Sequence, residues 1–271
     1  MRILITNDDG VNAQGLMHLC AAFQDLAEVL VVAPDRQRSG VSHSVTISEP
    51  LRLERTTVLN GLPAYTTNGA PADCVALAVA ELGEGGINLV LSGINHGWNL
   101  GVDCFYSGTV MAAAEASLLA LPAIAISVGG AQPDRFLTAA RFARLMAERV
   151  LQFGLPQGTF LNVNVPSIPR NEIKGVAVTS LSRWSHYDRF ERRSDPHGGT
   201  YYWRSGINPF QVTTEGAIFH DAPPGTDTHA VFEGLVSVTP LRLDFTDAAC
   251  LETIASWKFD TTGDADEKPS Q

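Results

Sequence analysis

The chain has 271 residues, 45% of them hydrophobic and 18% charged, enough apolar side chain for one large core or for a core with a smaller appendage. Its formal net charge of -10, from 19 Lys+Arg against 29 Asp+Glu with no basic cluster, argues against a binder of nucleic-acid polymers, which draws affinity from basic side chains displacing counterions. No basic-then-apolar leader opens the chain and no apolar run approaches the ~18 residues of a membrane span, so we expect a cytoplasmic protein with no membrane partner.

The first element is the apolar run Arg2-Ile3-Leu4-Ile5-Thr6, read as a strand and followed at once by Asn7-Asp8-Asp9-Gly10. Leu16, Met17, Leu19, Cys20, Phe23 and Leu26 recur at helical spacing, predicting a helix over 13–26, and 28–33 reads as a strand buried on both faces. A polar loop over 34–44 leads into β-branched alternation over 45–58, which suits an antiparallel excursion. Asn68-Gly69-Ala70-Pro71 turns into a helix over 72–82, with Pro71 suited to a first helical turn. Next come a strand over 87–91, a glycine-rich loop over 92–107, a helix over 109–119, a strand over 123–128, a helix over 135–153 and an apolar run over 160–166. Strand and helix alternate, which predicts an α/β fold with a mostly parallel sheet and helices on both faces.

Beyond that run the regularity fails. Residues 182–208 carry Trp184, Tyr187, Phe190, Tyr201, Tyr202 and Trp203 with little helical period, as expected of a β-rich hairpin arm whose aromatics suit a subunit interface better than base stacking. Residues 226–232 read as a capped helix, 235–239 as a strand, 246–257 as a last helix and 260–271 as a frayed tail. Cys20, Cys74 and Cys250 fall in apolar helical patterns and Cys104 in a loop; with no paired spacing, they read as buried free thiols.

Three clusters carry chemistry. Asp8 and Asp9 stand at the C-terminal end of the first strand, where an open α/β sheet keeps its ligand site, and they replace the glycines that a dinucleotide fold needs there. Two adjacent acids either hold a divalent metal or act as a helix cap plus a solvated turn acid, and both readings stay open on this pair alone. Arg36-Gln37-Arg38-Ser39-Gly40-Val41-Ser42 offers the Ser39 hydroxyl to the same sheet edge, or is an ordinary polar loop. Ser92-Gly93-Ile94-Asn95-His96-Gly97-Trp98-Asn99-Leu100-Gly101 runs on to Tyr106-Ser107-Gly108-Thr109-Val110, where a helix start presents N–H groups and the positive end of its dipole to an anion. Capping by Ser107 or Thr109 is compatible with that role, and His96 is either a proton donor or a solvent-facing loop residue. Asp8, Asp9, Ser39 and Asn95 together are an all-oxygen donor set, which suits Mg²⁺, Mn²⁺ or Ca²⁺ and not zinc.

Asn7-Asp8-Asp9-Gly10, Arg38-Ser39-Gly40-x-Ser42, Ser92-Gly93-Ile94-Asn95-x-Gly97-x-Asn99, Tyr106-Ser107-Gly108-Thr109-Val110, Asn162-Val163-Asn164-x-Pro166 and Ser237-Val238-Thr239-Pro240-Leu241 resemble, in order, the blocks of the SurE family of survival proteins, which are 5'-nucleotidases. The resemblance implies one divalent ion per subunit on Asp8, Asp9, Ser39 and Asn95, with Asp8 and Asp9 catalytic. Asn99, Ser107, Gly108 and Thr109 would lie at the phosphate of a nucleoside monophosphate. It also implies a Rossmann-like core over 1–180 and a C-terminal oligomerisation part over 181–259, whose 226–241 segment packs back on the core, giving a homodimer or homotetramer, with 260–271 a disordered tail. The expected reaction is metal-assisted attack of water on nucleoside 5'-monophosphates; alternatives are a broader range covering 3'-nucleotides and short polyphosphate, or a nucleotide-binding module without turnover. Ala114-Glu115-Ala116 departs from the family's Glu-Gly, and 182–208 matches none of its motifs.

Overall fold

The computed structural model describes residues 1–130, 132–183, 189–205, 222–257 and 259. Its centre is a nine-stranded sheet. In chain order the core elements are β1 (Arg2–Thr6), α1 (Gln14–Ala21), β2 (Glu28–Pro34), β3 (Leu53–Thr57), β4 (Pro63–Thr67), α2 (Pro71–Leu82), β5 (Leu89–His96), α3 (Gly108–Leu118), β6 (Ala123–Val128), α4 (Pro133–Phe153) and β7 (Thr159–Val165). β8 (Gly175–Val178), a hairpin of β9 (Arg189–Ser194) and β10 (Thr200–Ser205), α5 (Asp227–Phe232), β11 (Leu235–Arg242) and α6 (Ala248–Ala255) complete it.

The strands lie in the order β3-β4-β2-β1-β5-β6-β7-β11-β8, and β9 and β10 pair only with each other. From β4 to β7 every neighbour runs parallel, while β3 and β11 enter antiparallel. Period-two alternation along β1 decides what each face buries: Ile3 and Ile5 pack with Leu16, Leu19 and Phe136 of α1 and α4, whereas Leu4 packs with Val75 and Met111 of α2 and α3. Both faces are therefore dry, as the unbroken apolar strands require.

The chain leaves β1 toward β2 on one side and returns to β5 on the other. That reversal opens a crevice at the C-terminal ends of β1 and β5, the ligand position of open α/β sheets. Asp8 and Asp9 follow β1 into it, and Asn95 and His96 end β5 beside them.

Four expectations need correction. The first helix stops at Ala21, because Ala22, Phe23 and Leu26 donate to carbonyls three residues back and the chain tightens into turns. Residues 45–52 form no strand, and the antiparallel excursion is instead β3 with β4. β5 continues through the glycine-rich stretch to His96, with its register against β6 shifting between Gly93 and Asn95. Cys250 is exposed, while Cys20, Cys74 and Cys104 are buried. The 260–271 tail, Trp184 and Tyr187 lie outside the described residues, and among the described residues no helix is long and apolar enough to cross a membrane.

Candidate active site

The turn after β1 shows how two consecutive carboxylates enter one crevice. Asn7 is fully buried and clamps it, Nδ2 donating to the Gly10 carbonyl at 3.0 Å and Oδ1 accepting from the Gly10 N–H at 3.2 Å. Gly10 has φ 95°, and a Cβ there would stand 3.1 Å from the Arg36 carbonyl carbon, so a residue with a side chain would be strained and crowded. The helix-cap alternative fails: the residue before α1 is Ala13, and no side chain caps that helix.

Asp8 is buried and held from the far side. Its Oδ2 accepts from the Thr109 N–H at 3.0 Å and its Oδ1 from the Thr109 hydroxyl at 2.5 Å. Gly108 permits this approach, since a Cβ on it would come within 2.9 Å of the Asp8 Cβ. Burial, with the Asp9 charge second, pushes Asp8 up to about 6 despite the two Thr109 bonds. Asp9 is half-buried; its Oδ2 accepts from the His96 N–H at 3.1 Å and its Oδ1 takes a long 3.5 Å bond from Gln37. Burial raises its pKa too, opposed first by the His96 N–H. Among the described residues no lysine or arginine pairs with either carboxylate.

The loop after β2 is brought to the same place by the Arg38 N–H, which donates to the Asp8 carbonyl at 2.7 Å. Gln37 Nε2 bridges Asp9 to the Ser39 hydroxyl, 2.9 Å away, so these two oxygens line one cleft. Arg38 turns aside, its guanidinium donating to the Asn68 carbonyl. Asn95 spends its Nδ2 on the Gly97 carbonyl at 2.9 Å. The next backbone N–H, that of His96, binds Asp9, and the His96 side chain is exposed.

The start of α3 forms the opposite wall. Ser107 caps the helix, its Oγ accepting from the Val110 N–H at 3.2 Å. Thr109 differs from expectation: both its donors lie on Asp8, so it orients a carboxylate and neither donor is left for a phosphate. The Gly108 N–H and the Ser107 hydroxyl hydrogen remain as donors at this helix end.

Asn99 is fixed by a device that motif reading left without a role. Its carbonyl accepts from Asn162 Nδ2 at 2.9 Å and Asn164 Nδ2 at 3.0 Å, and its N–H donates to Asn164 Oδ1 at 2.8 Å. Its own Nδ2 donates to the Ser127 hydroxyl at 2.8 Å. Two asparagines at alternate positions of a buried, otherwise apolar strand share one face, and that spacing is the signal for them. Asp227 pins the same loop, accepting from the N–H groups of Gly101, Ser182 and Thr228, which no local sequence pattern foretells.

The residues present fit a hard divalent cation. Two carboxylates crowd together, no lysine or arginine among the described residues pairs with them, and the nearby groups are a hydroxyl and an amide. Among the described residues, no group of three or more His, Cys, Asp or Glu is placed to hold a metal ion.

Known proteins resemble this chain over most of its length. The family model described as survival protein SurE matches residues 3–188. The 5'-nucleotidase SurE of Heliobacterium modesticaldum is 43% identical over 258 residues, covering 95% of this chain and 92% of that protein. The 5'-nucleotidase SurE of Geobacter sulfurreducens is 44% identical over 258 residues, covering 95% and 94%. The crystal structure of the SurE protein from Aquifex aeolicus superposes with a TM-score of 0.81 at 38% identity, covering 96% of this chain and all of that one.

Proposed function

The chain belongs to the survival protein SurE family, and from that premise and the site's chemistry we propose that it is a divalent-metal-dependent 5'-nucleotidase, releasing phosphate from nucleoside 5'-monophosphates. The observation that carries this proposal is the pair Asp8 and Asp9, two carboxylates held in one crevice by Thr109 and His96, with no lysine or arginine among the described residues paired to either. Asp8, Asp9, Ser39 and Asn95 would hold one Mg²⁺ or Mn²⁺ per subunit. When bound, the ion supplies positive charge at the phosphoryl oxygens and activates water.

The chain's own residues do the rest. The Ser107 hydroxyl, the Gly108 N–H and the Asn99 side-chain amide would stabilise the equatorial oxygens; Asn162 and Asn164 fix the Asn99 main chain and Ser127 its amide in advance, so little reorganisation is needed as charge develops. Asp9 Oδ1, with only a long bond from Gln37, is the carboxylate oxygen left open toward the cation. Asp8, with Thr109 on both oxygens, is a fixed electrostatic anchor.

We also propose that the chain works as a homodimer or homotetramer, assembled through the part beyond residue 181 while 1–180 carries the catalytic core. What supports this is apolar surface without cover: Phe190, Tyr202 and Trp203 of the hairpin are exposed, and every residue of α6 is exposed, including Leu251 and Ile254.

The test is phosphate release from 5'- and 3'-mononucleotides and short polyphosphate, with Mg²⁺, Mn²⁺ or chelator. We expect metal-dependent release, fastest from the 5'-monophosphates. Equal rates on 3'-nucleotides or polyphosphate would favour the broader phosphohydrolase, binding without release a non-catalytic module, and turnover in chelator would refute the mechanism.

A further inference from the structure

The connection between β2 and β3 covers residues 35–52 without strand or helix, longer than most connections in a compact domain. It is nevertheless fastened at successive points. The Ser42 N–H donates to the Tyr106 carbonyl at 3.0 Å and the Ser42 hydroxyl to the Phe105 carbonyl at 2.5 Å. The next residue, His43, places Nε2 2.8 Å from Glu115 Oε2, with side-chain exposures of 25% and 18%. Further on, the Thr46 N–H and hydroxyl both donate to Asp73 of α2.

Ser39 is exposed, and it lies between two fastenings: the Arg38 N–H on the Asp8 carbonyl just before it and the Ser42 bonds three residues after it. A hydroxyl is the one uncharged, loop-borne donor beside two carboxylates. It adds to cation affinity only if its position is set beforehand, since otherwise the cation must order the loop at its own expense. The Ser42 and His43 fastenings land on the Phe105 to Glu115 stretch, which also carries Ser107 and Gly108 and whose Thr109 holds Asp8. The loop donor and the buried carboxylate are thus both tied to α3 and the turn that leads into it.

We propose that His43, through its pair with Glu115, is a positioning residue for the cation site: it holds the loop so that the Ser39 hydroxyl faces Asp8 and Asp9. The inference rests on Ser39 being a cation donor. A plain surface brace would contribute a little to folding and nothing to the site; the two roles separate in a binding experiment.

Mn²⁺ binding to the metal-free full chain is measured by titration calorimetry, alongside thermal melts in chelator, for wild type, His43→Ala, His43→Gln, Glu115→Ala and the double Ala variant. His43→Ala should weaken Mn²⁺ about 10- to 100-fold, as loss of an outer partner of a donor does, while the chelator melt moves by a few degrees at most. His43→Gln keeps an N–H for Glu115 and should recover most of the affinity, and the double variant should bind no worse than either single one. Wild-type affinity in His43→Ala, equal losses in the Ala and Gln variants, or a lowered melt with affinity intact would overturn the proposal. Asp8→Asn is the control: if it binds Mn²⁺ as wild type does, the cation reading itself fails, whereas its loss together with wild-type binding in His43→Ala removes only the role of His43.

Discussion

Asp8→Asn should make the metal-free protein more stable at pH 7 while removing its response to metal. Burial and the Asp9 charge raise Asp8 from 3.8 to about 6 in the folded chain. That difference of about two units, at 1.36 kcal/mol each, means that the ionised carboxylate costs the fold about 3 kcal/mol. A raised carboxylate favours the protonated folded state, so stability falls as pH rises from about 4 to about 6, and the full penalty stands above that window. Asn carries no charge, and its amide still offers an acceptor to the Thr109 N–H and a donor to the Thr109 hydroxyl. Allowing about 1 kcal/mol for poorer bonds leaves a gain of about 2 kcal/mol, or a Tm rise of about 4–8 °C in a chain of this size. The assay is a thermal melt in chelator at pH 7 and pH 4, repeated with Mg²⁺ at pH 7. Wild type should rise with Mg²⁺ and the variant should not, and the variant's advantage should vanish at pH 4. A variant that melts below wild type in chelator at pH 7, or keeps its advantage at pH 4, would refute the reasoning.

Asn95→Ala should weaken Mn²⁺ binding more than it lowers the chelator melt; equal losses would show a purely structural amide. Asn164→Leu strips the buried Asn99 N–H of its acceptor and the carbonyl of one donor. It should cost about 1–3 kcal/mol in denaturant titration and lower kcat for phosphate release; unchanged kcat would show that Asn99 stays in place without it. Thr109→Val removes the hydroxyl bond to a charged carboxylate and should lower stability in chelator at pH 7 by about 1.5–3 kcal/mol, with Thr109→Ser restoring it. Equal melts for Val and Ser would mean that the hydroxyl does not hold Asp8.

The parallel core was legible because its strands are short apolar runs and its helices carry clear starts: Pro71 opens α2, and Thr226 caps α5 by accepting from the His229 N–H. Other elements depend on partners distant in sequence. β8, four residues with alternate exposure, exists because Val176 and Val178 pair with Val236 and Val238 about sixty residues on. Gly93 reads as loop, yet β6 pairs with Asn95 and His96 beyond it and carries β5 past it.

At the site, the acids, Ser39 and the Ser107-Gly108-Thr109 turn stood out by residue type. What Thr109 grips was not legible, because its two donors meet a carboxylate 101 residues away. The asparagine clamp on Asn99 likewise needs the register of β7 against the loop after β5, which no local pattern contains.

The central claim is that one divalent ion sits between Asp8, Asp9, Ser39 and Asn95. Anomalous diffraction from crystals soaked in Mn²⁺ tests it most directly. One Mn²⁺ peak per subunit should lie within coordinating distance of both carboxylates, with the Ser39 and Asn95 oxygens completing the protein's share of the shell. A peak held by other residues, or none at a concentration that supports full phosphate release, would contradict the account.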